Sequence, residues 1–138
     1  MDKRLKIGVM GLKRGGFVLK SGKLLNDEMV VTAVCEIDDQ TIESAKPYFS
    51  SETKVYKDFD EFIQSGIDAV VLCNYFHEHA KYAIKALDAG VAVFSETTAA
   101  PTLGECVDLV EAVEWNNGRY MLAANCPYFK AVHAMKNK

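Results

Sequence analysis

The residues that could do chemistry occur in four short segments, each of which follows an apolar run. The first segment, GLKRGG at 11–16, has Gly11 and Gly16 at the outer positions of the nucleotide-binding pattern G-x-G-x-x-G. We expect Gly11 to allow the tight turn after the first strand and Gly16 to let the helix pack closely on that strand. Lys13 replaces the middle glycine, whose missing side chain lets the backbone approach a diphosphate. Lys13 and Arg14 beside a helix N-terminus would still attract an anion. The loop alone is compatible with a phosphate site or with a solvated turn that carries two cations.

Glu36 is the second candidate, near the end of the apolar run MVVTAVCEI. It follows Gly11 by 25 positions. This spacing is close to the offset of about 20 residues at which an acidic residue binds the adenosine ribose in dinucleotide-binding folds. A carboxylate there favours NAD because it repels the 2′-phosphate of NADP, although Lys13 and Arg14 could soften that discrimination and leave NADP open. The alternative is an ordinary polar strand end.

The third segment, CNYFHEH at 73–79, combines an amide, two aromatic rings and two imidazoles. Asn74 offers hydrogen bonds, and His77 and His79 carry imidazoles, the side chains that titrate near neutral pH. The alternative is that each histidine is a plain surface residue or lies at a helix N-terminus. We expect no metal, because H-x-H lacks a third ligand and H-E-x-x-H is absent. A nucleophilic pair of Cys73 with a histidine is not expected either, because Cys73 should end a buried strand.

The fourth segment, SETTAAPT at 95–102, places Glu96 at a strand end with Thr97 and Thr98 in the following loop. Threonine hydroxyls can hydrogen-bond a ligand, but they do not act as an acid or a base near pH 7. The alternative is a plain connection between a strand and a helix.

Six short apolar segments predict the strands that must position these residues. Their near-continuous apolarity predicts strands covered on both faces. Alternation with amphipathic stretches predicts a parallel sheet with right-handed crossovers. We therefore expect a single α/β domain, a doubly wound parallel sheet (Rossmann fold) in three αβα layers, with strand order 3-2-1-4-5-6. The predicted strands are residues 5–11, 29–37, 53–56 (an edge strand), 67–75, 90–96 and 119–125.

Helix patterns occupy the stretches between these strands. Asp58 and Thr102 each stand three positions before a glutamate, as in a capping box. Gly90 follows a helical pattern as a stop. Residues 15–26 predict a helix with one apolar face, formed by Phe17, Val18, Leu24 and Leu25.

Composition excludes several classes of function. The net charge of −3 provides no basic footprint for nucleic acid. No apolar run approaches the roughly 20 residues that cross a bilayer, so we expect no membrane partner. The four cysteines are widely spaced and form no C-x-x-C pair, which favours reduced thiols and a cytoplasmic location.

Taken together and in this order, the four segments resemble the N-terminal domain of the glucose–fructose oxidoreductase/inositol dehydrogenase/MocA family of NAD(P)-dependent oxidoreductases. The most specific part is residues 67–96, a strand, a helix that opens with histidine, A-L-x-A-G, and a strand that ends in Glu. The resemblance implies an enzyme that transfers hydride between a nicotinamide cofactor, NAD or NADP, and a sugar-like hydroxyl or carbonyl substrate. The cofactor contacts it implies are Gly11, Leu12, Lys13, Arg14, Gly16, Glu36, Cys73, Asn74, Tyr75, His79, Glu96 and Asn125.

The resemblance also assigns roles along the cofactor. Glycines of the first loop line the pyrophosphate, Glu36 binds the adenosine ribose and Glu96 the nicotinamide ribose. Asn74 and His79 lie on the nicotinamide side, as does Asn125 where the chain leaves for a second domain. The family has Glu-Lys-Pro after the fifth strand, its lysine helping a proton move with the hydride, whereas residues 96–98 here are Glu-Thr-Thr. The catalytic candidates are therefore His79 and Thr97, unless the role shifts to Tyr75 or to the second domain.

We expect residues 1–125 to be the Rossmann domain and residues 126–138 to begin the connection to a C-terminal substrate domain. That domain is absent from this chain, as in a truncated product or an isolated domain, so the chain alone should be inactive. In the family the second domain also forms the face for homo-oligomers. The alternatives are a non-catalytic nicotinamide-nucleotide module, which Thr97 favours, and a doubly wound domain that binds another phosphate ligand or none.

Overall fold

The sheet of the protein consists of six parallel strands. In the computed structural model, which describes residues 4–136, they are β1 (Leu5–Met10), β2 (Met29–Cys35), β3 (Lys54–Tyr56), β4 (Ala69–Leu72), β5 (Ala92–Ser95) and β6 (Tyr120–Leu122). Their order is β3-β2-β1-β4-β5-β6, so the direction of winding reverses between β1 and β4. The predicted doubly wound α/β fold is confirmed. Strands other than β3 end before the predicted residue, because their last polar residues belong to the loops.

Helices cover both faces of this sheet. They are α1 (Leu12–Leu24), α2 (Asp39–Ala45), α3 (Phe59–Ile63), α4 (His79–Asp88), α5 (Leu103–Trp115) and α6 (Lys130–Lys136). One core lies under α1 and α2 and includes Val9, Leu19 and Val34. The other core lies under α3, α4 and α5 and includes Phe62 and Leu87. Two separate cores make the three αβα layers that the sequence predicts.

The predicted helix caps are present. The Asp58 carboxylate accepts hydrogen bonds from the amides of Asp60 and Glu61, at 2.9 and 3.0 Å. The Thr102 hydroxyl oxygen accepts from the Glu105 amide at 3.2 Å and the hydroxyl donates to the Glu105 carboxylate at 2.6 Å. These caps fix where α3 and α5 begin, because they pair amides that have no partner inside the helix.

The first helix differs from its prediction in both start and orientation. It begins at Leu12, immediately after Gly11, and its buried residues include Leu12, Val18 and Leu19. From that start the inner face repeats every three or four residues, which turns Phe17 and Leu24 outward, with 47% and 84% exposure. The predicted apolar face was therefore wrong except for Val18.

Gly15, and not Gly16 as predicted, allows α1 to pack closely on β1. A Cβ atom on Gly15 would lie 2.5 Å from the Cγ1 of Val9, whereas one on Gly16 would meet nothing within 4 Å. The reason is the early helix start, which puts Gly15 on the same face as Leu12 and Val18.

The edge strands are exceptions to the predicted coverage of both faces. In β6 the side chains of Met121 and Leu122 are exposed, and in β3 so is Val55. The central strands β1, β2 and β4 bury most of their residues, because helices pack on both of their faces; Leu5 and Lys6, at the start of β1, are exposed. Among residues 4–136, no helix has the length and apolarity needed to cross a bilayer.

Substitution of the paired glycines tests the packing of α1. Gly15→Ala should lower the free energy of unfolding by about 1–3 kcal/mol, because the added methyl group overlaps Val9. Gly16→Ala is the matched control and should raise it by about 0.5–1 kcal/mol, because alanine favours a helix where space is free. Urea unfolding followed by circular dichroism measures both; equal effects of the two variants would contradict the assignment.

Candidate nucleotide-binding site

The four chemical segments meet at the carboxyl edge of the sheet, where the winding direction reverses. The floor of this crevice is the contact between the loop after β1 and the end of β4. Gly11 has a φ of +84°, and a Cβ atom there would lie 2.6 Å from the carbonyl oxygen of Cys73 and 2.7 Å from the amide nitrogen of Asn74. Only glycine permits both this conformation and this approach. Ligands of doubly wound folds bind in this crevice.

Glu36 lies beside this loop, and backbone amides hold its carboxylate in place. One carboxylate oxygen accepts from the Leu12 amide at 3.0 Å, and the other accepts from Ile37 and Asp38 at 2.9 and 3.1 Å. The Leu12 amide belongs to the first turn of α1, whose amides lack partners inside the helix. A carboxylate has about four acceptor positions, so Glu36 keeps capacity for one more donor.

The two cations of the first loop act toward opposite sides of the crevice. The Arg14 guanidinium lies 3.4 Å from the Glu96 carboxylate, at the end of β5. Lys13 acts toward the β2 side instead, where Asp38 caps α2. The pKa of Asp38 is lowered chiefly by the hydrogen bond from the Thr41 hydroxyl, with the charge of Lys13 contributing. The loop after β1 therefore carries one cation on its β5 side, Arg14, and one on its β2 side, Lys13.

Asn74 places an unpaired amide group directly after β4. Both polar atoms of its side chain are buried and have no hydrogen-bond partner among the described residues. Buried polar groups are normally paired, and leaving one unpaired costs free energy. The side chain can offer a donor and an acceptor to a polar ligand in the crevice.

His79 lies below this surface, with 1% of its area exposed. Its Nδ1 is 2.9 Å from the carbonyl oxygen of Thr98, and its Nε2 is 3.2 Å from that of Asn74. The ring therefore joins the loop after β4 to the loop after β5. Thr97, by contrast, is exposed, and the peptide bond that joins it to Thr98 is cis. The catalytic roles of His79 and Thr97 stay predictions; the buried setting of His79 favours positioning over contact with substrate.

Cys73 is a packing residue of the crevice floor. Burial raises the pKa of its thiol to about 12; the charge of Glu96 adds to the shift and that of Arg14 opposes it. A thiol with this pKa stays protonated at neutral pH, so it does not act as a nucleophile. Among residues 4–136, no group of three potential ligands could hold a metal ion.

An aromatic cluster forms the rim above the third segment; its two aromatic rings were noted in the sequence, but their packing against His77 was not predicted. The rings of Tyr75 and His77 are stacked at 5.9 Å, and Phe76 meets His77 edge-on at 5.6 Å. Tyr75 itself is 70% exposed. Adjacent aromatic residues were the available signal, although their mutual packing depends on the short 3₁₀ turn at Phe76–Glu78.

Contacts connect most of the predicted cofactor residues with one another. Lys13, Gly16, Tyr75 and Asn125 are the exceptions, because in the described part of the chain their side chains or Cα atoms join none of these contacts; the charge of Lys13 acts on Asp38 instead. Asn125 is exposed and its carbonyl accepts only from the Tyr128 amide, at 3.0 Å. The connected residues are Gly11, Leu12, Arg14, Glu36, Cys73, Asn74, His79 and Glu96.

The pKa shifts of the thiols are testable by alkylation. The pKa values of Cys35 and Cys73 are raised from 9.0 to about 12, chiefly by burial. At pH 8 their thiolate fraction should be about a thousandfold lower than that of an ordinary thiol, since each pKa unit is a factor of ten. With iodoacetamide and mass spectrometry, exposed Cys126 should react and these two should not. Modification of Cys73 in the folded protein at the rate of Cys126 would contradict this.

The sequence of the chain matches a known family model and several known proteins. Residues 5–124 match the family model described as "Oxidoreductase family, NAD-binding Rossmann fold". Inositol 2-dehydrogenase of Salmonella typhimurium is 30% identical over 120 residues, 86% of this chain and 35% of that protein. A glycosyl hydrolase family 109 protein of Stenotrophomonas maltophilia is 29% identical over 145 residues, 96% of this chain and 32% of that protein. The chain thus spans about a third of the length of these relatives.

Solved structures share the fold. The WlbA dehydrogenase of Bordetella pertussis, in complex with NADH and UDP-GlcNAcA, has a TM-score of 0.89 at 18% identity, over 99% of this chain and 40% of that one. Scyllo-inositol dehydrogenase of Lactobacillus casei, with bound NAD(H) and scyllo-inositol, has a TM-score of 0.84 at 24% identity, over 98% and 40%. The family match covers nearly the whole chain. The chain belongs to the glucose–fructose oxidoreductase/inositol dehydrogenase/MocA family of oxidoreductases, as its NAD-binding Rossmann domain.

Proposed function

We propose that this chain is the cofactor-binding part of an enzyme that moves a hydride between NAD and a hydroxyl or carbonyl carbon of a sugar-like substrate. The observation that carries the proposal is the carboxylate of Glu36, held by three backbone amides next to the Gly11 loop. That geometry aims an acceptor at the position where a dinucleotide presents its adenosine ribose. Relatives named as inositol 2-dehydrogenases favour an enzyme over a non-catalytic nucleotide module.

The other residues of the crevice fit the remaining parts of the dinucleotide. The Gly11 loop leaves room for a diphosphate at the N-terminus of α1, where an anion is stabilised. The unpaired amide of Asn74 matches the donor and acceptor of the nicotinamide carboxamide. Glu96 supplies an acceptor for the second ribose. NAD is favoured over NADP, because the 2′-phosphate would meet the charge of Glu36.

The bound nicotinamide would supply the hydride chemistry, and the residues of the chain would bind and orient the nicotinamide ring. His79 holds the loops after β4 and β5 at a fixed separation through its contacts with the carbonyls of Asn74 and Thr98. Thr97, exposed at the end of β5, can hydrogen-bond a substrate hydroxyl. General acid–base help is worth roughly 10²–10⁴ in rate, and a threonine hydroxyl does not provide it near neutral pH. The proton that accompanies the hydride therefore moves through a group outside residues 96–98, such as the exposed phenol of Tyr75 or a residue of the second domain.

Residues 1–125 would then form the cofactor domain, and residues 126–138 would begin the connection to a substrate-binding domain that also forms homo-oligomers. Apolar side chains that are exposed on β6 and on the segment after it support this, because a protein surface rarely leaves many apolar side chains uncovered. The relatives are also about three times as long as this chain. The exposed apolar side chains are Met121, Leu122, Tyr128, Phe129 and Met135.

We place the protein in the cytoplasm, supported by its four free cysteines.

Titration with NADH tests the proposal directly. Binding should be measurable by NADH fluorescence, and Glu36→Gln should weaken it by about 1–3 kcal/mol, the value of a hydrogen bond to a charged group. The same variant should reduce the preference for NADH over NADPH, because it removes the charge that repels the 2′-phosphate. Glu43→Gln, on the exposed side of α2, is the control and should leave both affinities unchanged.

Two outcomes would count against these assignments. Absence of NADH binding by the unaltered chain at millimolar cofactor would overturn the proposed function for this domain. Binding that Glu36→Gln leaves unchanged would overturn only the role of Glu36.

A further inference from the structure

Arg14 and Glu96 form an ion pair that spans the crevice. It joins the first turn of α1 to the end of β5, with 3.4 Å between the guanidinium Nη2 and the carboxylate Oε2. The two side chains differ in environment: Glu96 is 10% exposed and Arg14 is 73% exposed. The pair therefore combines a buried, fixed anion with a solvated, movable cation.

Glu96 depends on this cation for compensation. Among residues 4–136, Arg14 is the hydrogen-bonding partner of its carboxylate, and the single contact is long. A buried carboxylate is stable only when a charge or several donors compensate its lost hydration. Most acceptor positions of Glu96 are left for another donor. The carboxylate is thus poised to accept hydroxyl groups in exchange for the guanidinium.

Arg14 is equally able to leave. Its long side chain is mostly solvated, so a change of rotamer loses little packing. Arg14 belongs to the first turn of α1, as does Leu12, whose amide lies next to the Gly11 loop. A planar guanidinium binds phosphate oxygens through two parallel hydrogen bonds, a stronger arrangement than one contact with a carboxylate.

We propose that Arg14 is exchanged between two anions, Glu96 in the free domain and the diphosphate in the complex. This inference rests on the proposed function. When the guanidinium moves to the diphosphate, Glu96 is released and accepts the hydroxyls of the nicotinamide ribose, which compensate its charge in turn. The ion pair thereby couples binding of the diphosphate to binding of the nicotinamide ribose. A ligand with a diphosphate but no second ribose takes Arg14 away from Glu96 and supplies no hydroxyl groups to compensate the charge of Glu96.

ADP and NADH separate the two parts of this exchange, because ADP carries the diphosphate and lacks the nicotinamide ribose. Calorimetry at fixed salt should show that Arg14→Gln weakens ADP binding about tenfold. Glu96→Gln should strengthen ADP binding about threefold, because Arg14 no longer has to leave a partner. For NADH the same variant also replaces the charged ribose acceptor with a weaker, neutral amide oxygen, so the ratio of the NADH to the ADP dissociation constant should rise about tenfold.

The double variant Arg14→Gln/Glu96→Gln distinguishes exchange from simple repulsion between Glu96 and the diphosphate. Under exchange, Glu96→Gln no longer strengthens ADP binding once Arg14 is absent; under repulsion it still does, and that result would overturn the proposal. Lys13→Gln/Glu96→Gln is the matched control, because Lys13 acts toward Asp38, and it should keep the strengthening. Failure of the unaltered chain to bind NADH would instead overturn the proposed function.

A measurement on the unaltered side chains covers the case in which a Glu96 variant does not fold. The Nε–H signal of Arg14 in NMR spectra, assigned by its loss in Arg14→Gln, should shift on addition of ADP. Arg4, whose guanidinium lies 3.0 Å from Glu52, is the internal reference and should not shift. An unmoved Arg14 signal at saturating ADP would overturn the exchange.

Discussion

The close approach of Gly11 to the end of β4 is the constraint on which the rest of the site depends. Backbone hydrogen bonds hold this point from both sides: the Gly11 amide donates to the carbonyl of Cys35 at 3.0 Å, and the Cys73 amide donates to that of Met10 at 2.8 Å. The chain can turn there only through a positive φ, which also allows α1 to start one residue later. That early start places the Leu12 amide within reach of Glu36. The floor of the crevice, the direction of α1 and the position of Glu36 thus follow from one glycine.

The charges around this floor have an order that matches a dinucleotide. An acidic residue lies at each end of the crevice, Glu36 after β2 and Glu96 after β5. Between them, the loop after β1 carries the two cations Lys13 and Arg14. Acids at the ends suit ribose hydroxyls, which donate, and cations in the middle suit a diphosphate, which accepts. Lys13 in place of the middle glycine therefore adds to the central positive charge even where its side chain keeps the backbone farther from the ligand. A solvated turn with two unrelated surface cations would not need buried Glu96 on the opposite strand.

The sheet was predictable from sequence because its signals are local, whereas the details of the site depend on geometry at long range. Each strand is a short apolar run, and the alternation with helices determines the parallel order. The exact start of α1 depends on the turn at Gly11, so the spacing of the pattern selected Gly16 for close packing, whereas the helix places the adjacent Gly15 against β1. The Arg14–Glu96 pair joins residues 82 positions apart, and its existence depends on where β5 ends relative to α1. A histidine at a helix start indicates a titratable group, but only the fold shows that two loops enclose it.

The absence of the family lysine separates cofactor binding from proton transfer in this domain. His79 cannot replace that lysine without loss, because both of its ring nitrogens face backbone carbonyls and a rotation toward substrate would break both contacts. These contacts give His79 a geometric role: it holds the loop that carries Asn74 and the loop that carries Thr97 at a fixed spacing, which under the proposed function would position the nicotinamide. Under the proposed function, the residues that would bind and orient the cofactor lie on this domain, and the group that moves the proton would come from the rim or from a substrate-binding part of the enzyme.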